Sequence, residues 1–193
     1  MKYNDLNQIM LQFSYPPDFN YNVKLVMVIS FFNVCVENIW LGAVLSLYVY
    51  LITNKSNEAI GMLAGVAGTM QIFGAAGVAF VADTVSRSKI LIYGSNVGLI
   101  SLIVGVVAIH QSNYYILCLS MLFSGVYKSI INPALDSVIA DSINSGDRSR
   151  VYTWKFTHVL LGSSIGPLVS LFMFYIIGND WTVSICQLVM YVG

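Results

Sequence analysis

Residues 90–109 read Ile90-Leu91-Ile92-Tyr93-Gly94-Ser95-Asn96-Val97-Gly98-Leu99-Ile100-Ser101-Leu102-Ile103-Val104-Gly105-Val106-Val107-Ala108-Ile109, without one charged side chain. Wound as a helix, this stretch spans about 30 Å, the thickness of a bilayer's hydrocarbon core. On its N-terminal side stand Asp83, Arg87 and Lys89, and on its C-terminal side His110-Gln111-Ser112-Asn113 turns the chain. An apolar run bounded by charge on one side and a polar turn on the other reads as a transmembrane helix.

The same pattern repeats in both directions. We expect a first helix at about 25–51, a second at 59–82 after the polar linker Thr53 to Asn57, this third at 90–109, a fourth at 114–140 and a fifth at 159–177. Gly178-Asn179-Asp180 then turns into a hydrophobic segment at 181–193, too short to cross the bilayer. No charged or polar terminus closes that segment, so a fragment or truncated product is expected, with the sixth helix incomplete. The fold class is all-α, a polytopic transmembrane bundle. Composition agrees: 57% of residues are hydrophobic, 9% are charged and mean hydropathy is +0.75, against about 25% charged in soluble domains.

Residues 1–24 form an N-terminal segment without the apolar core of a cleavable signal peptide, so the first helix is expected to remain as a signal anchor. Within it Leu6, Ile9, Met10 and Phe13 fall at helical spacing before Tyr15-Pro16-Pro17, which suits either a short surface helix or an unstructured tail. With the N-terminus cytoplasmic, Lys2, Lys24, Arg87, Lys89, Arg148, Arg150 and Lys155 lie inside and Lys55 alone lies outside, as the positive-inside rule demands. Lys128 belongs to neither side, because it falls in the middle of the fourth helix.

Net charge is zero, which suggests no nucleic-acid partner. Cys35, Cys118 and Cys186 lie far apart in apolar stretches, without metal, redox or disulfide spacing, and no metal or other cofactor is expected. Two scattered histidines and no HExxH or GxSxG pattern give no support to an enzyme. On the second helix Gly61, Gly65, Gly68, Gly74 and Gly77 offer small surfaces for close helix packing.

Polar residues at mid-membrane depth are where function is expected. Glu37 lies near the centre of the first helix with Asn33 one turn before it. Lys128 lies at matching depth in the fourth, with Asn132 at i+4 and Asp136 at i+8 forming a polar stripe, and Tyr127 beside it. Asn132-Pro133 is expected to interrupt that helix, as a hinge or a harmless bend. Trp154, His158 and Trp181 fall near the expected interfaces, where aromatic rings anchor helices.

Residues 79–89, Ala-Phe-Val-Ala-Asp-Thr-Val-Ser-Arg-Ser-Lys, resemble the cytoplasmic signature G-x-L-A-D-R-x-G-R-K/R of the major facilitator superfamily. Ala82, Asp83, Arg87 and Lys89 fit it, whereas Ala79, Thr84, Ser86 and Ser88 depart from it. Gly162, Gly166 and Pro167 resemble part of that family's glycine-proline motif in the fifth helix, with Ser170 and Leu171 in place of its final glycines. Gly125 fits a glycine-rich motif of the fourth helix, but Met121 stands where the family often has arginine. The resemblance implies the N-terminal half of a secondary transporter that works with a C-terminal half on a small solute, with or without protons. It implies that the first and fourth helices line a central cavity and so bring Glu37 to Lys128. It also implies a cytoplasmic gate in which Asp83 caps a helix of the other half, Arg87 reaches Asp141, and Lys89 completes the basic cluster. Two alternatives stay open: a fixed ion pair that only locks packing, and a non-transporting sensor or partner-binding protein, favoured by the eroded signature.

Overall fold

The computed structural model describes residues 19–81, 84–178 and 181–193, and these are helical with no strands among them. In chain order the helices are α1 (Tyr21–Trp40), α2 (Ala43–Ile52), α3 (Asn57–Val81), α4 (Arg87–Gln111), α5 (Tyr114–Ser142), a 3-10 turn (Ser145–Asp147), α6 (Arg148–Ile177) and α7 (Val183–Val192). Five continuous apolar stretches are long enough to cross a membrane, α1 and α2 counting together as 21–52. The short helix considered at residues 6–13 lies outside the described residues.

Three features depart most from the sequence reading, each for a local reason. The expected single helix at 25–51 begins at Tyr21 and breaks at Leu41-Gly42. At Gly42 a Cβ would fall 2.5 Å from the carbonyl oxygen of Asn38, so only glycine permits the chain to bend there. The fifth helix begins at Arg148 rather than Val159. Its early turns are amphipathic, and Val151, Tyr152 and Trp154 pack against the core, which carries the helix beyond its purely apolar stretch. Pro133 does not interrupt the fourth helix, which runs unbroken from Tyr114 to Ser142. The proline lies on the exposed side, while Ile131, Ala134 and Leu135 hold the turns around it in the core.

Capping explains the sharp starts of two helices. Asn113 accepts hydrogen bonds from the backbone N–H groups of Tyr115 (3.0 Å) and Ile116 (3.3 Å) ahead of α5. Thr182 accepts from the N–H of Ile185 ahead of α7.

Packing forms two cores separated along the helices. One gathers Tyr48, Val49, Leu63, Ile109, Leu117, Met121, Val189 and Met190 where α2, α3, α4, α5 and α7 meet. The other gathers Val23, Met27, Ile131, Leu135, Ile139 and Val151 from α1, α5 and α6. Along α1 and α2 the buried residues of the second core end at Met27 and those of the first begin at Val44, while on α5 they are separated by residues 122–130. Glu37 and Lys128 fall in those intervals.

Glycine placement corrects the expectation for the second helix. Gly61, Gly65, Gly68 and Gly77 have no neighbour in reach of a Cβ, and only Gly74 meets another helix, at Ser129. The close α3–α5 approach depends instead on Gly125, where a Cβ would run into the carbonyl oxygen of Ala67. Many large apolar side chains on the outer faces, such as Ile72, Phe73, Ile92, Ile103, Leu168 and Leu171, are exposed. A bundle of helices, whose backbone bonds lie mostly within each helix, with such a surface suits hydrocarbon rather than water.

Candidate functional site

Glu37 and Asn33 share one face of α1, a helical turn apart. Opposite them, α5 presents Lys128 and Tyr127. Lys128 Nζ donates to Glu37 Oε1 at 2.6 Å, and the Tyr127 hydroxyl donates to Asn33 Oδ1 at 2.8 Å. The ion pair is largely but not wholly withdrawn from the surface, with the Lys128 side chain 22% exposed and that of Glu37 35% exposed. All four residues line a cavity of about 390 Å³ bounded by α1, α4 and α5, with Trp40, Met121 and Gly193 also in its lining.

The sequence reading did not foresee the contribution of the third helix. Gly98 and Gly105 on α4 leave the space that the aromatic walls occupy: a Cβ at Gly98 would lie 2.7 Å from the Tyr127 ring, and one at Gly105 would run into the Trp40 ring. Their signal was present as the spacing Gly94, Gly98, Gly105, which repeats on one helical face. Ser101 and Ser120 exchange reciprocal hydrogen bonds between side chain and backbone, each 2.9 Å, and tie α4 to α5 beside the cavity.

The expected stripe Lys128, Asn132, Asp136 divides between two sites. Asp136 does not join Glu37 and Lys128. Its Oδ1 accepts from Lys155 Nζ of α6 at 2.5 Å, and its backbone carbonyl accepts from the Tyr152 hydroxyl at 3.1 Å. The cause is the early start of α6, which carries Lys155 and Tyr152 alongside α5 where a loop was expected. Lys155, counted from sequence only among the inside basic residues, is therefore an ion-pair partner with a side chain only 16% exposed. Asn132 is exposed and lies outside the cavity lining.

Toward the end of α5 that carries Asp141, Arg87 pairs with Asp141 and its Nη1 also donates to the carbonyl oxygen of Ser137 at 2.5 Å. Lys89 is exposed on the first turn of α4, and Asp83 lies outside the described residues. Gly162 and Gly166 both face α1. A Cβ at Gly162 would lie 2.8 Å from the carbonyl oxygen of Phe31, and one at Gly166 would lie 2.9 Å from the carbonyl carbon of Asn38 and 3.0 Å from the nitrogen of Ile39. Pro167 follows within an uninterrupted α6 and lines a second, more apolar cavity with Asn38, Leu47 and Trp181. Among the described residues, no three His, Cys, Asp or Glu side chains come together. His158 bonds through Nδ1 with the carbonyl oxygen of Trp154 at 2.8 Å on its own helix.

The carboxylate of Glu37 and the ammonium of Lys128 are in contact between two apolar cores. Their attraction is stronger there than in water, and a proton or a charged solute that reaches either group competes with the other.

A family model described as Major Facilitator Superfamily matches residues 26–193. No curated protein and no solved structure matches the chain.

Proposed function

The chain belongs to the major facilitator superfamily, and from that premise we propose that it is one half of a secondary carrier moving a small solute by alternating access. The family's members are generally transporters, and the five spans support an integral, multi-pass membrane protein. In the proposed mechanism the N-terminus is cytoplasmic and a second helical half completes the route. Solute, or a proton on Glu37, separates Glu37 from Lys128, and the loss of that tie between α1 and α5 changes which side of the membrane the route faces. Arg87 and Asp141 tie α4 to α5 in the same way at the cytoplasmic end, as the gate contact, with exposed Lys89 on the first turn of α4.

The observation that carries the proposal is the Glu37–Lys128 pair at 2.6 Å on the wall of a cavity, at the depth where unpaired charge is most costly. The test is solute movement in proteoliposomes containing the intact transporter. Glu37→Gln is expected to abolish proton-driven accumulation while exchange of labelled for unlabelled solute continues. Normal accumulation by that variant would remove the coupling role.

A further inference from the structure

We propose that the solute is a small zwitterion, an aminocarboxylate that binds between Glu37 and Lys128 and lays an apolar body in the cavity beside them. This rests on the carrier function proposed above and names its substrate class.

The cavity is electrically balanced. Among the described residues that line it, Glu37 and Lys128 are the only charged ones, and they satisfy each other at 2.6 Å. A solute that separates them must therefore replace what each loses. A simple cation that takes Glu37 leaves the Lys128 ammonium without its acid, a simple anion that takes Lys128 leaves the Glu37 carboxylate without its base, and a lone charge at this depth is the costly state. A zwitterion re-pairs both groups at once and adds no net charge to the membrane interior. A neutral solute offers neither group an ion.

The two charges of the solute must also lie close together. Met27 of α1 shares a core with Ile131 and Leu135 of α5, and the Tyr127 hydroxyl bonds Asn33 Oδ1 at 2.8 Å, so the helices are held together near the pair and the side chains make the gap. An ammonium and a carboxylate carried on the same or adjoining carbons suit such a gap. Ser124, one turn before Lys128 on α5, also lines the cavity and adds a hydroxyl that can donate to a carboxylate. Trp40, three residues after Glu37, adds an aromatic ring, which attracts ammonium as well as apolar carbon.

Away from the pair the lining turns apolar, with Val36, Leu99, Leu102 and Met121. The volume of about 390 Å³ equals that of about a dozen waters in the liquid, which sets the solute at about that many non-hydrogen atoms. An aliphatic or aromatic side group on a compact zwitterionic head meets both requirements.

The test uses the full-length protein in detergent micelles at neutral pH, with the thermal unfolding midpoint read against ligand concentration, because a bound ligand raises it by mass action. Two matched sets of probes differ in charge: phenylalanine with phenethylamine and hydrocinnamate, and leucine with isoamylamine and isocaproate. Each amino acid is expected to bind about tenfold or more tightly than its amine or acid counterpart, the scale of one charge left alone. Glu37→Gln is expected to reverse the order in favour of hydrocinnamate and isocaproate, and Lys128→Met in favour of phenethylamine and isoamylamine; a packing lock produces neither reversal. Glu37→Gln/Lys128→Met, in which no charge is left alone, is expected to lose the preference for the amino acids, and it serves where a single variant does not fold. Tighter binding of the amines or acids than of the amino acids by the parent would overturn the zwitterion class and leave the carrier reading intact. An unchanged preference in the double variant would overturn the assignment to this pair. Binding of none of the probes would also overturn the zwitterion class, and solute movement in the proteoliposome assay then decides the carrier reading separately.

Discussion

Replacing Gly166 by alanine, beside the same change at Gly61, isolates the contact that holds α6 against α1. Both glycines sit inside helices, so both variants gain the same helix propensity, about 0.8–1.0 kcal/mol. They differ in what the new methyl meets. At Gly61 nothing lies within 4 Å, whereas at Gly166 the Cβ would stand 2.5 Å from Asn38 Cβ, 2.9 Å from its carbonyl carbon and 3.0 Å from Ile39 N. Two of those three atoms are backbone, which cannot rotate away as a side chain can, so the helices must separate. Overpacking of this kind costs about 1–3 kcal/mol, and because the propensity gain is common to both, that range is the expected difference between the variants. Reversible unfolding in mixed detergent micelles, followed by the fluorescence of Trp40, Trp154 and Trp181, measures it. Gly61→Ala is expected to match or exceed the parent and Gly166→Ala to fall below Gly61→Ala by that amount. Equal stability of the two would refute the reasoning that α1 and α6 touch at Gly166.

Two further outcomes follow from the polar contacts. Asp136→Ala leaves a mostly buried Lys155 unpaired and is expected to destabilise by about 3 kcal/mol or more, whereas Asp141→Ala breaks a pair exposed by 43% and 57% and is expected to cost under about 1 kcal/mol; the same unfolding measurement ranks them. Tyr48→Phe removes a 3.1 Å hydrogen bond to the carbonyl oxygen of Ile109, but Gln187 Nε2 also donates to that oxygen at 2.6 Å, so the cost is expected near the low end of about 0.5–1.5 kcal/mol and to grow when Gln187→Leu is added.

Much of the fold was legible because hydrocarbon imposes a simple rule: an uncharged run such as 90–109 must be a helix of that length. Where other forces competed, the reading failed. The bend at Gly42 depends on the position of the Asn38 carbonyl, which hydropathy does not encode. The early start of α6 depends on Val151 and Tyr152 finding a core made by α1 and α5, a tertiary effect hidden behind Arg148 and Arg150. Glu37 and Lys128 could be paired because their matching depth marked both as costly to leave alone and the family resemblance put the first and fourth helices on one cavity. Asp136 could not be assigned its partner in that way, since Lys155 had been placed in a loop. The packing glycines illustrate the same limit: Gly61, Gly65 and Gly68 carry the stronger pattern, yet Gly125 and Gly74 make the contact with the neighbouring helix.

The central claim is that the tie between α1 and α5 works during transport rather than merely holding the two helices together. The most direct measurement is uptake by Glu37→Gln/Lys128→Met, in which neither charge remains to be left alone in the membrane. We expect this variant to fold with a stability near that of the parent and to accumulate no solute. Parental accumulation by the doubly neutral protein would contradict the account and leave the pair as a packing lock.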